Sequence, residues 1–134
     1  DLISSLKNNG LSDNIYLLGI RDDILSIMNA IDLFLLSSIS EAFPNVLNEA
    51  MACGTPCLTT DVGDSGLIVG NTGWIVQPKD SKAMADACVH AFNEKKQNSE
   101  NWKKRKEACR ERIIENFSFE KMINKYKDIW VHDV

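Results

Sequence analysis

The sequence lacks any apolar run that approaches the ~20 residues a membrane-spanning helix needs, and it lacks a signal-peptide pattern. It also lacks an excess of positive charge. The formal net charge of its 134 residues is -4 at pH 7, which argues against nucleic acid as the main partner. With 44% hydrophobic and 25% charged residues, the chain has the composition of one globular domain with a single core.

Cysteine and histidine are scarce and scattered. The four cysteines are Cys53, Cys57, Cys88 and Cys109. They show neither the Cys-x2-Cys spacing nor the nearby histidine that a zinc site needs, so we expect buried, reduced thiols of the kind found in cytosolic proteins. The two histidines, His90 and His132, lie far apart in helical stretches, and nothing resembles a Ser/His/Asp triad.

Short apolar runs alternate with helical patterns in the first part of the chain. The predicted strands are 15–18, 33–36, 57–60 and 74–76, and the predicted helices between them are 22–30, 44–53 and 65–69. The strand candidates are too short for helices and lack strict alternation, which is typical of strands buried on both faces of a parallel sheet. This order predicts an α/β fold with a Rossmann-like, doubly wound parallel sheet, whose ligand lies at the carboxyl ends of the strands.

The last part of the chain, residues 79–134, is predicted to be helical throughout. Asp80 or Ser81 can cap a first helix, Trp102 lies in a second, and Ser118 begins a third. Apolar residues recur in these helices at the period of an amphipathic helix. We therefore expect their aromatic side chains to lie in the core.

The most informative segment is residues 40–56, SEAFPNVLNEAMACGTP, in which Glu41 and Glu49 stand eight positions apart. Pro44 suits the first position of a helix and Gly54 suits its end, which places Glu41 before the helix and Glu49 about 1.5 turns inside it. The free amides at the helix start favour an anion. An ionised carboxylate accepts paired hydroxyl donors, so the two acids suit the diols of a hexose and a ribose. Alternatively, Glu41 only complements the helix dipole and Glu49 faces solvent.

This segment resembles the Glu-x7-Glu signature of retaining glycosyltransferases with the two-domain GT-B architecture, in glycosyltransferase family four. Further landmarks resemble the family in the same order: NIYLLG at 14–19, AIDLFLLSS at 30–38, TDVGD at 60–64 and GNTGWIV at 70–76. The last two most resemble bacterial enzymes that assemble surface polysaccharides such as O-antigen or capsule. The resemblance implies a hexosyltransferase that uses a nucleoside diphosphate sugar, expected to be a UDP-sugar, without a metal or other cofactor.

The resemblance also implies roles for the residues around the predicted helix. Glu41 would be the catalytic residue, which binds hexose hydroxyls and orients the donor. Glu49 would bind the ribose hydroxyls. The backbone amides of Phe43, Asn45 and Val46 would hold the diphosphate as negative charge develops on the leaving group.

A second group of donor contacts is expected after the first predicted strand. Backbone groups of Gly19 and Ile20 would meet the nucleotide base. Arg21 would contact the base edge or a phosphate, or it would form a surface ion pair with Asp22 or Asp23; both readings are open.

The chain departs from the family pattern in two ways. Ala42 and Pro44 stand where glycine is common, and both narrow backbone freedom beside the phosphates. The basic residue that clamps the diphosphate and the glycine-bearing first strand are not found. Residues 2–10 have the pattern of the end of a helix capped by Gly10, so we expect an N-terminally truncated single domain over 1–134. Within it we expect an α/β donor-binding core at 1–78 and a helical segment at 79–134.

In the resembled architecture the missing N-terminal domain binds the acceptor, here a glycan or a lipid-linked glycan. The final helix packs back across the cleft between the domains, so Tyr126 or Trp130 would be exposed without that domain.

Positive charge is concentrated late in the chain. Residues 94–112 carry eight Lys or Arg against four Glu. The basic residues over 95–112 have two interpretations. They dock on an anionic membrane, which suits a cytoplasmic enzyme at the inner face of the cytoplasmic membrane, or they lie on a solvated helix with ion pairs.

Glycan phosphorylases and sugar-nucleotide epimerases share a phosphate site at a helix start. A glycan phosphorylase would need a pyridoxal phosphate lysine, and a sugar-nucleotide epimerase would need a different set of acids and histidines; neither set is found. A non-catalytic α/β nucleotide-binding or interaction module stays open, because it would explain the fold without the two acids.

Overall fold

The computed structural model describes residues 2–132, and side chains from residue 3 to residue 130. In chain order the elements are α1 (Leu2–Asn8), α2 (Ile24–Ala30), β1 (Phe34–Leu36), α3 (Asn45–Ala52), β2 (Cys57–Thr60), α4 (Ser65–Val69), β3 (Trp74–Val76), α5 (Ser81–Gln97), α6 (Ser99–Phe117) and α7 (Phe119–His132). From α2 to β3 the order alternates helix and strand, and it is helical afterwards, as the sequence predicts for residues 22–134.

The three strands form one parallel sheet in the order β1-β2-β3. Leu35 of β1 lies opposite Leu58 of β2, and Thr59 of β2 lies opposite Ile75 of β3. The central strand is buried along its whole length, because it has a neighbour on each side and helices packed upon it. α3 and α4 connect the parallel strands. The α/β fold with a parallel sheet and C-terminal helices is therefore confirmed.

The predicted strand at residues 15–18 is wrong. The structure gives these residues no regular secondary structure, and their side chains are exposed, Tyr16 by 79% and Leu18 by 56%. A strand exists only through ladder hydrogen bonds to a neighbour. Within the described residues, the sheet contains β1, β2 and β3 alone, so the apolar run at 15–18 has no strand to pair with.

Two helix starts differ slightly from the sequence prediction. α2 begins at Ile24 rather than at residue 22, because Asp23 occupies the N-cap position and its carboxylate binds Arg21 instead of the helix amides. α3 begins at Asn45 rather than at Pro44. The ψ of Pro44 is 96°, which is extended, so the proline precedes the helix. Gly54, with a φ of +75°, follows the end of α3 as predicted.

The core lies between the sheet, α3, α4 and α6. Its fully buried side chains include Leu47, Met51, Leu58, Ile68, Val69, Cys57 and Cys109. The expectation of buried, reduced cysteines holds in part: all four are free, and Cys57 and Cys109 are buried, whereas Cys53 and Cys88 are only half-buried. Burial raises the pKa of the Cys57 and Cys109 thiols well above the ordinary value, which keeps them protonated.

Two of the C-terminal helices begin where the sequence indicates, α5 directly after Asp80 and α7 directly after Ser118. The Asp80 carboxylate accepts a hydrogen bond from the Ala83 amide at 2.8 Å and caps α5. In α6, Trp102 is buried and stacks on Trp74 with ring centroids 6.2 Å apart.

The aromatic side chains of α7 are not in the core, and neither is Phe92 of α5, which is 58% exposed, so the prediction is wrong for these residues. Phe119 is 72% exposed, Tyr126 is 55% exposed and Trp130 is 71% exposed. The exposure of Tyr126 and Trp130 is the outcome expected from the resembled architecture without its second domain. An apolar period defines one face of a helix, but only a second element can bury that face.

Candidate functional site

The first acid lies in the loop that follows β1. Ser38 donates a hydrogen bond from its Oγ to Oε1 of Glu41 at 2.6 Å, and both residues are half-buried. The Thr60 hydroxyl, at the carboxyl end of β2, donates to the carbonyl oxygen of Ser38, also at 2.6 Å. The loop therefore lies at the carboxyl edge of the sheet, which is where ligands bind in doubly wound folds.

The loop after β2 contacts the backbone of the loop that carries Glu41. The Asp64 amide donates to the carbonyl oxygen of Ala42 at 2.9 Å. Gly63, with a φ of +52°, lies so close that a Cβ on it would come within 2.5 Å of that oxygen and would overlap the Glu41 carbonyl. Only glycine fits this close approach.

The start of α3 presents its amides outward. The backbone N–H groups of Phe43, Asn45 and Val46 find no acceptor among the described residues, as is usual at a helix start. Phe43 is 42% exposed and Val46 is 38% exposed. The amides that the sequence assigns to a diphosphate therefore belong to exposed residues and are unpaired among the described residues.

Glu49 is exposed and has no hydrogen-bond or ion-pair partner in the part of the chain that the structure describes. Because helix positions three and four apart share a face, Glu49 lies on the side of α3 that also carries Val46 and Cys53. Cys53 contacts Asn29 of α2, with Nδ2 and Sγ 3.5 Å apart. Glu49 thus lies on the exposed face of α3, away from the buried Leu47, Ala50 and Met51, while Glu41 lies before the helix.

The predicted base contacts lie just ahead of α2. Gly19 has a φ of +64°, and Ile20 is fully exposed. Arg21 forms an ion pair with Asp23, with Nε to Oδ1 at 2.8 Å and Nη2 to Oδ2 at 2.6 Å. These hydrogen bonds raise the pKa of Arg21 and lower that of Asp23. The ion-pair alternative is the one observed in this structure, and a donor contact from Arg21 stays a prediction.

The structure brings together some of these residues but not others. Among five surface cavities of about 190 to 450 Å³, none is lined by Glu41 or Glu49. Ile20 and Arg21 line one of about 400 Å³, and Phe43 and Asn45 line another of about 450 Å³. None of these five cavities is therefore shared by the two acids.

Three residues that hold the Glu41 loop were missed by sequence reasoning. They are Ser38, Thr60 and Gly63. A hydroxyl residue at the last position of a strand, or two positions after its end, is the signal that could have indicated Thr60 and Ser38, since the carboxyl edge of the sheet brings them together.

The basic segment is largely engaged in contacts within the chain. Five of its eight cations have partners: Lys95 with Asp32, Lys104 with Glu100, Arg105 with Glu94, Arg110 with the Ala52 carbonyl, and Arg112 with the Leu67 and Ile68 carbonyls. Lys96, Lys103 and Lys106 have no such contact among the described residues. Ion pairing accounts for much of this segment, and membrane docking stays a prediction.

The described residues contain neither a cluster of metal ligands nor a membrane-spanning helix. No group of three or more His, Cys, Asp or Glu side chains there could hold a metal ion. No helix in that part of the chain is long and apolar enough to cross a membrane.

A parallel sheet joined by helices, with a helix start and the Glu41 loop at its carboxyl edge, defines a doubly wound α/β domain. The chain belongs to the family described as glycosyl transferases group 1, whose pattern it matches over residues 2–94. Its architecture is that of the GT-B glycosyltransferases.

Two relatives match nearly the whole chain. N-acetyl-alpha-D-glucosaminyl L-malate synthase of Bacillus anthracis is 32% identical over 96% of this chain and 33% of the relative. UDP-Gal:alpha-D-GlcNAc-diphosphoundecaprenol alpha-1,3-galactosyltransferase of Escherichia coli is 30% identical over 98% of this chain and 34% of the relative. The chain thus spans about a third of the length of these relatives.

A solved glycosyltransferase structure from Rickettsia africae superimposes on the chain with a TM-score of 0.86 and 27% identity, over 95% of this chain and 34% of that chain. Similarity of both sequence and fold therefore extends beyond residue 94 into the C-terminal helices.

Proposed function

We propose that this chain is the donor-binding part of a longer retaining glycosyltransferase. The enzyme transfers a hexose from a nucleoside diphosphate sugar, a UDP-sugar, to a glycan or lipid-linked acceptor during synthesis of a bacterial surface polysaccharide. The observation that carries the proposal is the arrangement around α3: unpaired amides at the helix start, Glu41 held in the loop before it, and Glu49 unpaired on the exposed face of the helix.

Each part of this arrangement suits one part of the donor. The amides of Asn45 and Val46 stabilise the diphosphate, and they need no reorganisation as charge develops on the leaving group. Glu41 accepts hydrogen bonds from hexose hydroxyls, and Glu49 accepts them from the ribose. Reaction occurs on the face of the sugar that carries the diphosphate, so Glu41 orients the donor and is not a nucleophile.

The names of the relatives support the choice of substrates. The Escherichia coli relative is named for a UDP-Gal donor and a diphosphoundecaprenol acceptor, and the Bacillus anthracis relative for transfer of an N-acetylglucosaminyl group. With a nucleotide-sugar donor and a lipid-linked acceptor, the proposed reaction occurs in the cytoplasm, at the inner face of the cytoplasmic membrane. Three cations of the basic segment remain for contact with anionic lipid, namely Lys96, Lys103 and Lys106. If the protein co-sediments equally with anionic and neutral vesicles, that contact is excluded.

Calorimetry on the full-length protein tests the proposal. We expect UDP to bind, and GDP to bind less tightly than UDP. Glu49→Ala should weaken UDP binding about tenfold, because the ribose hydrogen bonds are lost. Glu107→Ala is the matched control, because Glu107 is an exposed acid of α6 without a partner among the described residues. If neither nucleotide binds the full-length protein, the chain is a non-catalytic interaction module instead.

A further inference from the structure

Glu41 has one fixed carboxylate oxygen and one free one. Ser38 Oγ donates to Oε1 at 2.6 Å, a distance typical of a charge-assisted hydrogen bond between a hydroxyl and a carboxylate. No other partner of the Glu41 side chain occurs among the described residues. Oε2 is therefore free to accept a hydrogen bond from a ligand.

Ser38 is itself held by the neighbouring strand. The carbonyl oxygen of Ser38 accepts the Thr60 hydroxyl at 2.6 Å, and Thr60 is only 4% exposed. A buried hydroxyl that has a good acceptor rarely gives it up, because an unpaired buried donor costs free energy. Two hydrogen bonds in series thus connect the carboxyl end of β2 to the Glu41 carboxylate.

The backbone of the same loop is fixed independently. The Asp64 amide binds the Ala42 carbonyl oxygen at 2.9 Å, and Gly63 fills the space directly against Glu41. With the backbone held from one side, the remaining freedom of Glu41 is rotation of its side chain. Ser38 removes that freedom.

We propose that Ser38 and Thr60 are positioning residues that set the direction of the Glu41 carboxylate towards the donor sugar. This inference rests on the proposed role of Glu41. A carboxylate that is already oriented before the substrate binds loses no further rotational freedom in the transition state, and small angular errors at such a group are costly. Neither residue touches the reacting atoms in this scheme, and both act through Glu41.

Kinetics of the full-length enzyme test the proposal. Ser38→Ala is expected to lower kcat about tenfold, the effect of one charge-assisted hydrogen bond, with the donor KM changed by less than about twofold. Thr60→Val should lower kcat in the same direction, and Thr60→Ser, which keeps the hydroxyl, should restore it. Ser37→Ala is the matched control, since Ser37 is the adjacent hydroxyl and makes no hydrogen bond among the described residues.

A double-mutant cycle separates positioning from general damage to the fold. In a Glu41→Ala background the Ser38 hydroxyl has nothing to orient, so Ser38→Ala should then change kcat by less than about twofold. An equal loss in both backgrounds, or no loss in either, overturns the positioning role. Wild-type turnover of Glu41→Ala alone overturns the proposed role of Glu41 instead, so the two failures are distinguishable.

A structural measurement covers the case in which Glu41→Ala is too slow to assay. Crystal structures of the Ser38→Ala and Thr60→Val enzymes should show the Glu41 carboxylate displaced by more than about 0.5 Å, with the backbone of the loop unchanged. A carboxylate that keeps its position in Ser38→Ala contradicts the proposal.

Discussion

Arg105 of α6 binds Glu94 of α5 through two parallel hydrogen bonds, Nε to Oε1 at 2.7 Å and Nη2 to Oε2 at 2.8 Å. The same guanidinium donates to the Thr72 carbonyl at 3.0 Å and lies 4.4 Å from the ring centroid of Trp74. The Arg105 and Glu94 side chains are 22% and 16% exposed, so solvent screens this pair less than a surface ion pair. It joins α5 and α6 to the turn before β3.

Glu94→Gln should destabilise the protein in a pH-dependent way. The hydrogen bonds from Arg105 lower the pKa of Glu94 in the folded state, so the stabilisation is complete above the unfolded value of about 4.3 and is lost as the pH falls through the lower folded value. We expect the variant to lose about 1–2 kcal/mol of unfolding free energy at about pH 7, and the difference from wild type to shrink below about pH 4. Urea unfolding across this pH range measures it.

The exposed pair Lys82 and Asp86 provides the control for that experiment. Its nitrogen and oxygen are 2.6 Å apart, but the side chains are 85% and 66% exposed. Asp86→Asn should therefore cost less than about 0.5 kcal/mol. A Glu94→Gln effect that is the same at every pH would show that packing, rather than the ion pair, causes it.

Gly63→Ala should cost more than its backbone conformation alone explains. Gly63 and Gly10 both have positive φ, +52° and +66°, so alanine at either position incurs a similar penalty of about 1–2 kcal/mol. A Cβ on Gly10 meets nothing within 4 Å, whereas one on Gly63 meets the backbone of Glu41 and Ala42. Gly63→Ala should thus lose a further ~1–3 kcal/mol. Equal unfolding midpoints for the two variants would show that the loop moves away freely.

Much of the fold follows from burial patterns that the sequence displays. The strands β1, β2 and β3 fall inside runs that lack strict alternation, and β2, the central strand, is buried along its whole length because it is covered on both faces. The run at 15–18 has the same composition, yet it forms no strand. Pairing depends on a neighbour in space, and composition does not report neighbours. The exposed aromatic face of α7 was predicted as core for the same reason.

The candidate site was predictable only in its local part. The spacing of Glu41 and Glu49 about a helix start can be read from the chain, since helix geometry fixes it. The hydrogen bond between Thr60 and Ser38 joins residues 22 positions apart, and it arises because parallel strands end at one edge. The choice of Asp23 over Asp22 as the partner of Arg21 depends on side-chain directions before α2.

The thiols should differ widely in reactivity. Burial raises the pKa of Cys57 and Cys109, so both stay protonated at neutral pH and react only through opening of the core. With iodoacetamide under native conditions, we expect each to label at least ~100-fold more slowly than half-buried Cys53. Mass spectrometry of labelled peptides measures this, and urea-unfolded protein is the control. Rapid native labelling of Cys109 would contradict its buried position.

Substitutions of Glu41 and of Glu49 should change different kinetic constants of the full-length enzyme. Glu41→Gln keeps the size of the side chain but removes its charge, and it should lower kcat by at least about 100-fold, because the acid orients the sugar in the transition state. Glu49→Ala should mainly raise the donor KM, since ribose hydrogen bonds are present in both ground state and transition state and so act as uniform binding. Initial rates over a range of donor concentration separate the two. If both variants lose affinity equally and keep their turnover, both acids only bind the donor, and the catalytic role of Glu41 is wrong.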